Sequence, residues 1–195
     1  GGPVVQASPL VVDLQSFGRV PIARFNFAGT GTPGNDANPD QYEIDTGSLL
    51  LSGIEVGDPV RARGFVAPLG PAPPDFDALA VFNASQMPAG LGINWKLPGS
   101  ASAFAALEAA QIVVDLDNPD LGLLHHVRRG GVITDLTTLG GDLSIVPAAL
   151  GRYAIAAPGS LVVYGNFADF SAALAGHMGA GHRAWLLWGG GRFDD

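Results

Sequence analysis

Glycine and proline interrupt this chain at short intervals along most of its length, and no other feature narrows its possible folds more. The 28 glycines and 15 prolines among 195 residues stand between apolar runs and do not cluster in a low-complexity tract. Both residues disfavour helix interiors and favour turns. The segments between them are short and rich in β-branched and aromatic residues. Several alternate apolar with polar positions, as half-buried strands do. With 47% hydrophobic and 14% charged residues, the chain lies far from the disordered class. Its length suffices to bury a core, as one large domain or two small ones.

Residues 3–85 read as strands. Residues 3–14 are apolar and extended, with Pro9 confining them to an edge or an irregular strand. Residues 19–27 alternate toward their end and set Phe25 and Phe27 on one face. Residues 42–51 follow, interrupted by Thr46-Gly47-Ser48. A Gly57-Asp58-Pro59 turn then feeds a strand in which Val60, Ala62 and Gly64 oppose Arg61, Arg63 and Phe65. Residues 77–82 close the segment after a proline-rich loop at 68–74.

The run V-G-D-P-V-R-A-R-G at 56–64, the Pro/Gly loop and F-D-A-L-A-V at 76–81 resemble the second half of small OB-like barrels. Such barrels occur in uncharacterised bacterial exported proteins and lipoproteins, and the resemblance covers residues 40–80. It implies a five-stranded Greek-key barrel and nothing about substrate. OB folds often bind nucleic acid through a basic face studded with aromatic rings. This stretch lacks such a face, so that ligand class is not carried over.

The second half reads as mixed. Residues 92–97 suggest a strand around Trp95, and the helix formers of 100–110 predict a first helix with Phe104 and Leu107 at helical spacing. Strands are expected at 111–116, 121–127 and 131–136, and a hairpin of 152–157 with 160–164 across Pro158-Gly159. Residues 166–178 predict a second helix, with Asn166 as N-cap and Gly179 near its stop. Residues 184–188 form a last apolar strand. The fold class expected is therefore mainly β, and α+β overall. An OB-like or sandwich-like antiparallel part at 1–86 precedes an α+β part with two short helices at 87–195. The break falls at Met87-Pro88-Ala89-Gly90, with a single continuous domain as the alternative.

The net charge is −8 and Lys96 is the only lysine. A field of that sign repels phosphate backbones and anionic lipid, which argues against nucleic acid as a partner. The chain has no cysteine, which excludes disulfides, thiolate zinc sites and cysteine nucleophiles. No apolar run reaches the roughly 18 residues of a membrane helix, so no membrane-spanning segment is expected. The Gly1-Gly2-Pro3 opening reads as a processed start, with an export signal removed upstream and a working place outside the cytoplasm.

Candidate sites are few. Asp36, Asn38 and Asp40 offer three oxygen ligands in one glycine-rich loop, and calcium is the cofactor such a loop would take. Gln41 stands where an EF-hand needs glycine and Gly47 where it needs glutamate, so the loop is not an EF-hand; an Asx-rich turn is the plainer reading. Asp115, Asp117 and Asp120 gather carboxylates at a strand end, with strand termination as the plainer role. His125 and His126 are adjacent and point to opposite faces of a strand, while His177 and His182 match no zinc spacing. Nucleophile elbows and Walker loops are absent, and Gly29–Gly34 opens no helix. The apolar residues Val4, Val5 and Leu10, together with Trp185 and Trp188, are candidates for contact with another subunit.

These readings favour a non-enzymatic extracellular or cell-envelope protein, acting as a binding module or as a structural subunit of a surface assembly. Its expected partner is protein, through self-association or an envelope component. Two alternatives stand beside it. One is a metal-dependent hydrolase built from His125 or His126, Asp115, Asp117 and His177 or His182. The other is a calcium-stabilised adhesion module using Asp36, Asn38 and Asp40.

Overall fold

The structure is a computed structural model. It describes residues 1–31, 34–67, 73–95, 103–119, 121, 125–136, 139–157, 159–179 and 185–191, with the backbone alone at 157, 178–179 and 185–188. Strands make up 46% of the described residues and helical segments 11%, so the chain is mainly β. It divides into two compact units. The first comprises Gly1–Met87 with Arg129–Thr134, and the second Pro88–Arg128 with Asp135–Asp195.

The first unit is a closed five-stranded barrel, as the OB-like reading expected. Its strands are β1 (Gly2–Gln6), β2 (Leu10–Val12), β5 (Tyr42–Asp45), β6 (Pro59–Val66) and β7 (Phe76–Asn83), joined in the order β1–β2–β5–β7–β6. All pairs are antiparallel except β5 with β7, which run parallel with Ile44 opposite Phe76. The alternation along each strand decides what goes inside. Val4, Leu10, Val12, Tyr42, Ile44 and Val60 pack in the barrel, while Phe65 is exposed. Residues 3–14 are not one irregular strand: they fold back on themselves, so that Val4 faces Val12.

Residues 19–27 also depart from the strand expected there. After the two-residue ribbon β3 (Ser16–Phe17) and β4 (Val20–Pro21), Ile22–Arg24 form a single 3₁₀ turn. Pro21 has no N–H for a ladder, and Gly18 and Arg19 both take positive φ in the tight turn before it. A second 3₁₀ turn, Pro39–Gln41, leads into β5. Arg129–Thr134 joins this unit through specific bonds. Arg61 donates from Nη1 to the Gly130 carbonyl at 3.3 Å, and the Ile133 N–H donates to Ser16 Oγ at 3.2 Å.

The second unit carries β8 (Ala89–Trp95), β9 (Phe104–Leu107), β10 (Ile112–Asp115), β11 (His126–Arg129), β13 (Asp142–Ile145), β14 (Tyr153–Ala157), β15 (Ser160–Tyr164) and β16 (Trp185–Gly191). The intervening β12 is Val132–Asp135. In one sheet β11–β8–β16–β14–β15 are successive neighbours, ending at β15, and a second runs β13–β10–β9. The hairpin of β14 and β15 has the register Tyr153 opposite Tyr164.

One α-helix is described, α1 (Phe167–Gly179). Asn166 caps it as expected: its Oδ1 accepts the Asp169 N–H at 2.8 Å, and its Nδ2 donates to Asp169 Oδ2 at 2.7 Å. The helix expected at 100–110 is corrected by β9, while residues 100–102 lie outside the described residues. Ladder pairing with β10 and burial of Phe104 edge-on to Trp95, centroids 5.2 Å apart, outweigh the helix propensity of the alanines. Among the described residues no helix is long and apolar enough to cross a membrane.

Candidate functional site

A recess in the first unit holds about 170 Å³. Phe17 comes from β3, Phe25 and Phe27 from the segment after the 3₁₀ turn, and Tyr42 from β5; Asp75 stands just before β7. Phe17 and Phe25 meet edge to face, with centroids 5.6 Å apart and planes at 70°. Phe27 and Tyr42 do the same at 6.3 Å and 73°. Two near-orthogonal ring pairs thus wall one space, presenting π-faces in different directions.

The polar groups around the cavity are already organised. The Thr30 hydroxyl donates to the Phe27 carbonyl at 2.6 Å and accepts the Ala37 N–H at 3.0 Å, which holds the loop against the barrel. The Tyr42 hydroxyl donates to the Asp75 carbonyl at 3.3 Å. Burial, with Asp75 adding to it, pushes the Tyr42 phenol up to about 12, so it stays a neutral donor. Asp75 is 7% exposed, and its Oδ2 accepts the Glu43 N–H at 3.0 Å. No other hydrogen bond reaches its carboxylate among the described residues. A neighbouring recess of about 310 Å³ shares Phe17 and Tyr42 and is lined by Arg63.

Burial raises the Asp75 carboxyl above its ordinary value of 3.8, against the opposing pull of the Glu43 N–H. Asp13 is raised in the same way, by burial first and by Asp40 second. A carboxyl raised in the folded state binds its proton more tightly there than in the unfolded chain. Its contribution to stability is complete below 3.8 and is lost as pH rises through the folded value. Unfolding free energy is therefore expected to decline as pH rises through the mildly acidic range, and less so in Asp75→Asn. Denaturant titrations at several pH values check this; parallel profiles for the two proteins would reject Asp75 as a source.

Asp36 Oδ1 accepts the Gly31 N–H at 3.1 Å and Asn38 Oδ1 accepts the Asp40 N–H at 3.1 Å, so both bind the backbone of their own loop. Val4 and Leu10 are each 1% exposed inside the barrel, whereas Val5 is 44% exposed. Trp185 and Trp188 lie on β16, opposite Trp95 and Gly92 of β8, with β14 on the other side. Their side chains lie outside the described residues.

Asp115 accepts the Asp117 N–H at 3.0 Å, and Asp117 accepts the Gly141 N–H at 2.9 Å. His125 is buried and His126 half-buried on β11. Burial, helped by Arg128 and opposed by Asp135, lowers the His126 pKa. His177 stands in the last turn of α1. Asp120 and His182 lie outside the described residues. Among the described residues no three His, Asp or Glu side chains group so as to hold a metal ion.

Sequence reasoning passed over Phe17, Tyr42 and Asp75 as site residues. The one local signal was the Phe25/Phe27 alternation; the rest is brought together by barrel closure. Comparison with known proteins finds no matching family model, no similar curated protein and no similar solved structure.

Proposed function

We propose that this chain is a non-enzymatic protein of the extracellular space or cell envelope, a binding module or structural subunit whose copies associate through β15. The observation that carries this reading is the state of that strand. β15 ends its sheet, pairing with β14 on one side and with no other described strand on the other. Leu161, Val162 and Val163 are 67%, 46% and 65% exposed, so apolar side chains stand out on both faces. Ser160–Tyr164 contains no charge, proline or bulge, the devices that normally protect an edge.

A second copy is the occupant this edge suits. Antiparallel pairing of β15 with itself about Val162 satisfies both ladders, brings no like charges together and closes as a two-fold dimer. Tyr164 packs on Phe170 of α1, centroids 5.9 Å apart, which holds the strand's end in place for pairing. The acidic surface and the local use of the loop carboxylates also support a binding or structural role.

Light scattering over a dilution series tests this. The native chain is expected to exceed its monomer mass of 19.9 kDa at high concentration, and Val162→Lys to remain monomeric. A native chain that stays monomeric at every concentration would sink the reading. Fractionation of source cells tests the compartment, with recovery in the cytosol alone counting against it.

A further inference from the structure

We propose that the cavity bounded by Phe17, Phe25, Phe27, Tyr42 and Asp75 is a binding site for a small alkylammonium cation of the trimethylammonium class. This site is independent of self-association through β15.

Size comes first. A cavity of about 150 Å³ holds one benzene-sized guest, so a recess of 170 Å³, open on one side, seats a compact group of that order. The character of the wall comes second. Four aromatic rings in two near-orthogonal pairs surround the space. Ring faces carry negative charge density, and rings set at right angles to one another can contact a spherical methylated cation from several sides.

Charge decides between a neutral guest and a cation. Among the described residues, Asp75 is the only charged side chain lining the cavity, and no lysine, arginine or histidine lines it. It is more than nine-tenths buried, and among the described residues its carboxylate accepts one hydrogen bond, from Glu43 N–H to Oδ2. A buried carboxylate without a cationic partner is costly, and a cation seated among the rings supplies that partner. A neutral guest would leave the cost in place. A methylated ammonium also suits the donor count, because the hydroxyls of Tyr42 and Thr30 already donate to backbone carbonyls and the cation asks for no acceptor geometry. The surroundings favour the same sign. Ala37 lines the cavity between Asp36 and the Asn38-Pro39-Asp40 turn, and the whole chain carries −8.

The test is calorimetric titration of the full chain with choline and, separately, with its uncharged carbon isostere, dimethylbutanol. Choline is expected to bind at one site per chain, at least about tenfold more tightly than the isostere. Asp75→Asn is expected to weaken choline about tenfold and leave the isostere unchanged. Phe25 is 40% exposed, so Phe25→Leu removes a ring without emptying the core, and it is expected to weaken choline as well. Circular dichroism of both variants confirms that each is folded.

Equal affinity for choline and the isostere would overturn the proposal and leave a plain apolar cavity. So would choline binding that survives Asp75→Asn, or no binding of choline at any concentration tried. Capture on phosphatidylcholine vesicles, competed by free choline, would assign the cation to a lipid headgroup; choline binding without capture would assign it to a free solute.

Discussion

Phe170→Ala is expected to remove about 3–5 kcal/mol of stability, the loss of a buried aromatic side chain plus the cavity it leaves. Phe170 is 1% exposed and stands at the centre of an aromatic cluster in the second unit. Tyr153 stacks on it with centroids 5.2 Å apart, and Tyr164 and Phe167 flank it at 5.9 and 6.1 Å. These contacts tie α1 to the hairpin of β14 and β15. The helix has 13 residues, a length at which isolated helices are marginal in water, so its docking decides whether it forms. Urea denaturation followed by circular dichroism gives the loss, and hydrogen exchange should show the α1 amides deprotected first. Phe170→Leu keeps an apolar side chain while losing ring geometry and should cost about 1–2 kcal/mol. Equal stability of Phe170→Ala and the native chain would mean that α1 is not anchored there.

Gly64→Ala is the second large effect, about 3 kcal/mol by overpacking against backbone that cannot yield cheaply. The register between β6 and β7 shifts between Arg63 and Gly64, and there the strands approach so closely that a Cβ on Gly64 would overlap the Asp77 carbonyl oxygen. Relief requires β7 to move, and β7 also pairs in parallel with β5 beside Asp75. The expected result is lower stability of the first unit together with weaker choline binding, since Asp75 shifts with the strand. The contrast with Gly57 sharpens the test. A Cβ at Gly57 meets nothing within 4 Å, so its substitution is opposed only by its positive φ and should cost less. Denaturation midpoints of the two alanine variants measured side by side decide the matter. A harmless Gly64→Ala would show that the bulge can open.

Much of the local structure was legible in the chain. The alternation of Val60, Ala62 and Gly64 against Arg61, Arg63 and Phe65 foretold which face of β6 turns inward, because successive side chains of an extended strand point to opposite faces. The cap at Asn166 and the hairpin pairing of β14 with β15, whose Pro158 lies outside the described residues, were equally readable, since both depend on chemistry within a few residues. Residues 104–107 were misread as helix for the opposite reason. Their alanines favour a helix in isolation, and only the partner strand β10 and the ring of Trp95, distant in sequence, make the extended form the better one.

By itself, then, the sequence determined a mainly β chain cut by glycine and proline into short strands, a capped helix near its end, a net charge of −8 and the absence of cysteine. Tertiary structure alone decided three further things. It folded residues 3–14 back into two barrel strands, which commits Val4 and Leu10 to the interior. It left β15 at the edge of a sheet, a property that depends on strand order and not on the strand. It also brought Phe17, Phe25, Phe27, Tyr42 and Asp75 around one cavity. The physical reason is the same in each case. Caps, turns and alternation arise from contacts a few residues apart, whereas an edge or a cavity exists only once segments tens of residues apart have closed upon one another.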